Sequence, residues 1–477
     1  MNRFSFVLLL SVILMSGCAT MQQQDQSALL KPYYLGDTAT ASSVLETDYD
    51  RALPFLLDAS MVRFSQGNFQ EAYTLLNESE AEVKNDETES DVYAASKVLG
   101  EVLFNRELMN YKPRSSDTVL INMYKGVSLL ALNDNDGARV EFNRTLDRQR
   151  RAVEKYKEEI KELREEAKEQ KAKQRKEVAQ RKKAKDKTPV LDLLRIQSVA
   201  KESVYQSMPE VNHWTGYGNF VNPYATYLSG LYFCTNGEMK SDYNKCNTML
   251  KRVKGMVPKN SYLQLDTAMS RDFARGRKTS KYRKPTVWVI FENGLAPEVD
   301  ELRLDIPLFL AGERAGVSMV SFAMPRLKTR DEALRYIQVK SGSKKYTSKE
   351  LCNFDRVMQA EYKAHLTSTI TKAVASTATK TFVQYLAQRS GGQLAGIATG
   401  LFTSVMTQAD TRSWLSLPKN VQMMRVPKPK NNTLNIQAPN GAVLATVALP
   451  DTKYSIVHVR MPQAGSLPYV QTIPLGK

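Results

Sequence analysis

The sequence contains few of the residues that most often bind metal ions or carry catalysis. It has three histidines and four cysteines in 477 residues. The histidines are His213, His365 and His458, and they lie in three different segments. A site with two or more imidazole ligands would therefore need distant parts of the chain to converge. We expect no metal site and no cofactor.

Common catalytic motifs are also missing. The chain has no G-x-x-x-x-G-K-S/T phosphate loop, no H-E-x-x-H pair and no G-x-S-x-G nucleophile turn. Gly216-Tyr217-Gly218 lacks the third glycine of a dinucleotide-binding loop. Carboxylate pairs such as Asp300 and Glu301 arise by chance in a chain with 50 acidic residues. We therefore expect a protein that is not an enzyme, with a hydrolase of dispersed catalytic groups as the lesser alternative.

The first twenty residues carry the main apolar run of the chain. They contain one arginine, an apolar stretch and then Ser16-Gly17-Cys18, which resembles the signal peptide and lipobox of bacterial lipoproteins. The resemblance implies removal of residues 1–17, a diacylglyceryl thioether on Cys18 and an acyl chain on the new N-terminus. Two or more acyl chains hold a protein stably on a bilayer. The alternative is an ordinary secretory signal or a short membrane anchor.

The resemblance also implies a location. Ala19 stands where an aspartate would resemble the inner-membrane retention signal, so the expected address is the bacterial outer membrane, lipid-anchored and facing the periplasm. The lipid bilayer, reached through the acyl chains of Cys18, is then the first expected partner. Residues 18–43 are polar and are predicted to form a tether that holds a folded body off the membrane.

Positive charge is concentrated in one segment. The net charge is +17, and residues 148–187 contain 17 Lys/Arg against 9 Asp/Glu, a surplus of 8. Export to the envelope argues against nucleic acid as the partner. The charge favours lipid phosphates, anionic glycans or an acidic protein instead.

The cysteines other than Cys18 divide into a pair and a single residue. Cys234 and Cys246 are twelve residues apart in a segment predicted to form two antiparallel helices, and the periplasm is oxidising, so a disulfide between them is reasonable. The alternative is two small apolar residues in a helix interface. Cys352 has no partner in this scheme and is predicted to be a buried thiol.

Helical periodicity extends over residues 44–280, and part of it repeats. Leu56–Val83, Met123–Arg150 and Tyr224–Tyr262 each resemble a degenerate tetratricopeptide repeat, with small and large residues at that repeat's spacings. In the second copy these are Gly126, Leu129, Ala138 and Phe142. Three such hairpins predict a stacked, concave helical module. The alternative is an unrelated helical bundle.

Residues 148–187 are predicted to form one long, charged helix that leaves the body and ends before Pro189. A short coiled-coil seam begins it, at Val153, Tyr156, Ile160, Leu163 and Ala167. Beyond the seam, the same heptad positions hold glutamine and charged residues. A solvated helix surface is one interpretation, and electrostatic contact with lipid or an anionic polymer is the other.

From residue 281 onward, β-branched and aromatic residues predict a β domain, residues 281–477, which gives an α+β fold overall. The predicted strands are Thr286–Phe291, Leu302–Leu308, Val317–Ala323, Arg335–Val339, Val421–Val426, Thr433–Ala438, Val443–Leu449 and Tyr454–Met461. Pro450-Asp451 is interpreted as a hairpin turn between the last two. A helical insertion, residues 355–412, interrupts the strands.

The insertion contains an uncharged stretch, residues 390–409. Gly392, Gly396 and Gly400 are four residues apart and so share one helix face, as in a glycine zipper. Polar residues make the stretch too hydrophilic for confident membrane insertion. A tight hairpin packed within the protein and a self-association or membrane-inserting surface are both open interpretations.

Two aromatic segments are notable, and the first is a candidate for contact with a ligand or a partner. The first combines aromatic rings with turn residues before a helix, a composition suited to stacking on sugar, and contains Trp214, Tyr217, Phe220 and Tyr224. The alternative is that these rings join one part of the protein to the next. In the second segment, Trp414 and Leu417 are interpreted as core contacts.

The lipobox, the weak repeats, Phe220-Val-Asn-Pro-Tyr224 and Arg412-Ser-Trp414 together resemble a family of proteobacterial lipoproteins without an assigned activity. Membership implies an envelope location and tetratricopeptide-like helical repeats. We expect a non-catalytic protein-binding scaffold that serves a cell-envelope or surface structure, with an envelope protein as partner and homo-oligomers as an option. The alternative is a lipoprotein that binds peptidoglycan or another anionic glycan.

Overall fold

The chain combines helices with several β-sheets, which confirms the α+β class. The computed structural model describes residues 25–47, 49, 51–95, 111, 113–183, 189–218, 221–277, 284–311, 314–389 and 409–476.

Most of the helices precede the strands. They are α1 (residues 25–35), α2 (Thr38–Leu45), α3 (Leu53–Ser65), α4 (Phe69–Ala95), α5 (Ser115–Ala131), α6 (Asn135–Lys183), α7 (Leu193–Ser207), α8 (Pro223–Thr235), α9 (Lys240–Met256), α10 (Ser261–Ala274) and α11 (Phe354–Arg389).

Three helical hairpins lie where the repeats were predicted: α3–α4, α5–α6 and α8–α9. Local chemistry explains their turns and crossings. Gly67, between α3 and α4, has φ +85°, a conformation that favours glycine. Gly126 on α5 leaves room for the Phe142 ring of α6, since a Cβ at position 126 would lie only 3.1 Å from that ring. Asn222 caps α8 by accepting hydrogen bonds from the backbone N–H groups of Tyr224 and Ala225.

The strands form three sheets. In chain order they are β1 (Thr286–Asn293), β2 (Glu298–Leu308), β3 (Ser318–Lys328), β4 (Gln338–Ser341), β5 (Lys344–Thr347), β6 (Lys349–Asn353), β7 (Asn420–Pro427), β8 (Thr433–Gln437), β9 (Val443–Ala448), β10 (Tyr454–Met461) and β11 (Tyr469–Leu475). The five-stranded sheet has the order β11-β10-β1-β7-β6, the four-stranded sheet the order β5-β4-β8-β9, and β2 pairs with β3.

Strand β1 lies at the centre of the five-stranded sheet and is buried on both faces. Its side chains alternate between two hydrophobic clusters, as strand geometry requires. Trp288 and Ile290 pack with the helical hairpins, whereas Val289 and Phe291 pack with the four-stranded sheet. The five-stranded sheet is therefore the middle layer, with helices on one side and the second sheet on the other.

The predicted hairpin across Pro450-Asp451 is wrong. β9 pairs with β8 in the four-stranded sheet, whereas β10 runs parallel to β1 in the five-stranded sheet. The turn thus carries the chain from one sheet to the other. Val447 of β9 and Val457 and Val459 of β10 meet instead in the hydrophobic cluster between the two sheets.

The predicted boundary near residue 280 separates helix from strand along the chain but does not separate two cores. One cluster contains Leu57 of α3, Tyr124 of α5 and Tyr227 of α8 together with Trp288 and Ile473 of the sheet. A second cluster joins α7, the β2–β3 ribbon and α11. The helices of the predicted repeat domain and the strands of the predicted β domain therefore share hydrophobic contacts.

The predicted tether is shorter than residues 18–43. Residues 25–35 and Thr38–Leu45 are helical, and Leu29, Leu30 and Tyr33 are buried against the body. Burial of each of these three side chains contributes about 1.5–3 kcal/mol toward holding the helix there. Polar residues between these apolar ones make the apolar face of the helix difficult to recognise from the sequence.

The predicted long helix is present and longer than expected. It begins at Asn135 as the second helix of the second hairpin and continues to Lys183, while residues 184–188 lie outside the described part. Tyr156 is buried, with its ring centroid 5.3 Å from that of His365. Every side chain described between residues 157 and 180 is exposed.

Candidate functional site

A buried polar site lies between the helical hairpins and the five-stranded sheet. Its centre is Glu292 of β1, which is fully buried. The hydroxyls of Tyr124 on α5 and Tyr224 on α8 donate to Glu292 Oε1 at 2.7 and 2.8 Å. One carboxylate therefore links the first helices of two hairpins to the central strand.

Two basic side chains of β10 lie beside this carboxylate. His458 Nε2 is 3.1 Å from Glu292 Oε1, in an orientation that does not complete a hydrogen bond. Arg460 Nε lies 4.0 Å from Oε2, and its Nη atoms donate to the carbonyls of Glu292, Gly294 and Ser416. Burial opposes ionisation of Glu292, but the charges of His458 and Arg460 and the donated hydrogen bonds outweigh it, so its pKa is lowered.

A second buried network joins the first two hairpins. Lys125 Nζ lies 2.5 Å from Glu80 and 3.1 Å from Glu141, and Arg148 lies 2.8 Å from Glu80. Burial would raise the pKa of Glu80, but Lys125 and Arg148 together lower it to about 2. These charges hold α4, α5 and α6 in register, which is a structural task.

A third network joins helix α10 to the sheet. Asp266 accepts hydrogen bonds from Arg425 at 2.7 Å, from the Tyr227 hydroxyl at 2.7 Å and from Trp288 Nε1 at 3.1 Å. The Arg425 guanidinium also lies 5.4 Å from the Trp288 ring. Each of the three networks therefore bridges different elements, and sequence reasoning identified none of them.

A fourth network fastens the N-terminal helix α1. Asp58 accepts from Gln26 Nε2 at 2.5 Å and from the backbone and side chain of Ser416 at 2.8 and 2.6 Å. Burial raises the pKa of Asp58 from its ordinary value of 3.8 to about 6, although these hydrogen bonds act in the opposite direction.

Asp58 is expected to make stability depend on pH. Because its pKa is higher in the folded state, the folded protein holds a proton that the unfolded chain releases between pH 4 and 6. The free energy of unfolding should therefore fall by about 3 kcal/mol across this window as pH rises. Urea denaturation of wild type and Asp58→Asn from pH 4 to 7 measures the difference. A difference that stays constant with pH would contradict the assignment.

The predicted aromatic contact segment is not available to a ligand where it is described. Tyr217 and Tyr224 are buried, and Trp214 is partly buried against the Tyr362 ring, 5.6 Å away between centroids. The Tyr217 hydroxyl accepts from the backbone N–H of Asn353. These rings join the helices to α11 and the sheet, which is the alternative interpretation. Phe220 lies outside the described residues.

The three cysteines in the described part of the chain form one bonded pair and one free thiol. Cys234 of α8 and Cys246 of α9 form a disulfide with a Cα–Cα distance of 5.4 Å, inside the third hairpin. Cys352 of β6 is a buried free thiol, and burial raises its pKa well above the usual range. Trp414 and Leu417 are buried in the main core, as predicted.

The other predicted sites are dispersed or undescribed. Gly392, Gly396 and Gly400 lie outside the described residues, as does Cys18. Within the described part, no helix has the length and hydropathy needed to cross a bilayer, and no group of three acidic, histidine or cysteine side chains is arranged to hold a metal ion.

One open groove in the described part is lined by lysines. It has a volume of about 340 Å³ and lies where the β7–β8 and β9–β10 connections meet. Lys428, Lys430 and Lys453 line it together with Asp451. Lys428 Nζ donates to the carbonyls of Pro450 and Thr452 at 2.7 Å. With three lysines and one aspartate, the rim of the groove is mainly cationic.

These arrangements can perform two tasks. The buried networks fasten helices to one another and to the sheets, and the exposed long helix and the lysine groove place charge at the surface. No protein-family model matches the chain, and no curated protein or solved structure is similar to it.

Proposed function

We propose that the protein is an acylated outer-membrane lipoprotein that works by binding other envelope proteins. The observation that supports this best is the extension of α6 beyond the body. Residues 157–183 continue the helix for about 40 Å at 1.5 Å per residue, and their described side chains are exposed. The side chains described along this extension are therefore available to a partner.

The charge of the extension divides into two parts. Residues 157–167 carry three basic and five acidic side chains, whereas residues 168–183 carry eight basic and two acidic ones. Such a division suits an acidic protein surface that contacts the far end of the helix, because like charges would repel at the near end. We therefore expect the partner to be a protein with an elongated, acidic binding face.

The three hairpins support the interpretation as degenerate tetratricopeptide repeats, but the partner surface differs from the concave face expected from sequence. The first helices of the hairpins, α3, α5 and α8, are almost wholly buried, and their inner side packs on the sheet. Strands of the same chain therefore cover the inner face of the hairpins. The partner-binding surface is therefore assigned to the extension of α6.

A second candidate function is binding of an anionic glycan such as peptidoglycan. The lysine groove formed by Lys428, Lys430 and Lys453 favours it. Incubation of the purified protein with cell-wall sacculi at low and high salt separates the two functions. Salt-sensitive retention that is lost when the three lysines become alanine would favour the glycan, and crosslinks from residues 168–183 to a protein would favour the scaffold.

The membrane address depends on Cys18. Replacement by serine, Cys18→Ser, is expected to abolish incorporation of labelled palmitate and to move the protein from the membrane fraction to the soluble periplasmic fraction, because the acyl chains supply the stable attachment. Fractionation with immunoblotting measures this. Cys352→Ser is the matched control and should leave the fractionation unchanged. A Cys18→Ser protein that still fractionates with membranes would contradict the proposed address.

A further inference from the structure

The two most exposed large apolar side chains of the described chain lie on adjoining segments. Leu467, in the turn between β10 and β11, is 71% exposed, and Leu35, at the end of α1, is 62% exposed. Gly36 follows Leu35 with φ +83°, and a Cβ there would lie 3.0 Å from the backbone nitrogen of Leu467. The two segments therefore touch at Gly36 and Leu467, and each contributes an exposed leucine to this part of the surface.

The face that carries Leu35 also carries a cation. Ala28, Lys31 and Leu35 are exposed and lie three and four residues apart on α1, so they share the side of the helix that points away from the body. The opposite side, with Leu29, Leu30 and Tyr33, is buried. A lysine beside exposed leucines is the pattern of a surface that sits at the lipid headgroups, where the ammonium meets phosphate and the leucine meets acyl chains.

The proposed anchor, Cys18, is separated from helix α1 by only a short stretch of chain. A lipidated Cys18 is seven residues before Asp25, where α1 begins, and seven residues span at most about 25 Å. Leu35 lies about 15 Å farther along the helix. The hydrogen bonds of Gln26 to Asp58 and of Tyr469 to the Tyr33 carbonyl fix α1 on the body, so the proposed anchor would keep the start of α1 within about 25 Å of the bilayer.

We propose that Leu35 and Leu467, flanked by Lys31, form a membrane-docking point that rests in the headgroup layer of the bilayer to which Cys18 is anchored. This inference rests on the proposed lipidation and adds the orientation of the folded body. The lipid surface is the occupant, because the short chain from the anchor keeps this face within reach of it.

Site-specific fluorescence in the full-length lipoprotein tests the proposal. Leu35→Cys and Leu467→Cys are each labelled with an environment-sensitive dye, and Val443→Cys, on β9 and 57% exposed in the wild type, is the matched control. Labelling is selective because Cys234 and Cys246 are bonded and Cys352 is buried. The proteins are reconstituted into phosphatidylethanolamine–phosphatidylglycerol vesicles that contain a brominated lipid.

Brominated lipid is expected to quench about half of the emission at positions 35 and 467 and to leave position 443 nearly unchanged, since quenching requires contact with the acyl region. Palmitate incorporation is measured in the same samples. Acylated protein with unquenched labels at 35 and 467 would overturn the docking proposal but not the proposed lipidation of Cys18. Protein without palmitate would overturn the docking proposal and the proposed lipidation together. Energy transfer between labelled copies, in place of quenching, would assign the leucines to a second copy of the chain and overturn the proposal.

Discussion

Replacement of Glu292 by alanine is expected to lower the free energy of unfolding by about 3–5 kcal/mol, because removal of one partner from a buried ionic network leaves the others uncompensated. The hydroxyls of Tyr124 and Tyr224 lose their acceptor, and Arg460 and His458 lose the nearby negative charge. Chemical denaturation followed by circular dichroism measures the change. Glu292→Gln retains an acceptor oxygen and should lose less.

The matched control is Glu165→Ala. Glu165 pairs with Lys168 at 2.8 Å on the exposed part of α6, and exposed pairs contribute about 0–1 kcal/mol. The comparison separates the effect of burial from that of losing a carboxylate. If Glu292→Ala were as mild as Glu165→Ala, the network would not hold the hairpins on the sheet as described.

Loss of the disulfide is the second large effect expected. The double variant Cys234→Ala/Cys246→Ala should be less stable than the wild type by about 3 kcal/mol, because the bond closes a loop of twelve residues and restricts the unfolded chain. Thermal or urea denaturation with and without dithiothreitol measures the loss.

The control for the disulfide lies within the same experiment. Reductant should lower the stability of the wild type to that of the double variant and should leave the double variant unchanged, since Cys352 is buried and unpaired. A wild type that keeps its stability in reductant, with the bond shown to be open by thiol titration, would contradict the prediction.

The sequence was sufficient to locate strands that are buried on both faces. Thr286–Phe291 was predicted because a continuous apolar run needs no knowledge of its neighbours, and β1 occupies Thr286–Asn293. β5, β6 and β11 were missed. Lys344–Thr347 and Tyr469–Leu475 contain lysines, a threonine or a proline, and they become strands through pairing with β4 and β10.

The central site was not predictable for a related reason. Glu292 is one of 50 acidic residues, and its position on the face of Trp288 and Ile290 shows only that it points toward the helices. The residues that give it a role, Tyr124 and His458, are more than 150 positions away in the sequence in each direction. Parallel pairing of β1 with β10 brings His458 beside Ile290, and nothing local specifies that pairing.

The pairing of β1 with β10 has a consequence for the order in which the protein can fold. The inner side of the helical hairpins is covered by strands at the end of the sequence, and the Tyr469 hydroxyl bonds to the Tyr33 carbonyl across 436 positions. A chain synthesised from its N-terminus therefore keeps this apolar side uncovered until its last strands are made. During that interval it is a substrate for chaperones, and a chain truncated before β10 would remain one.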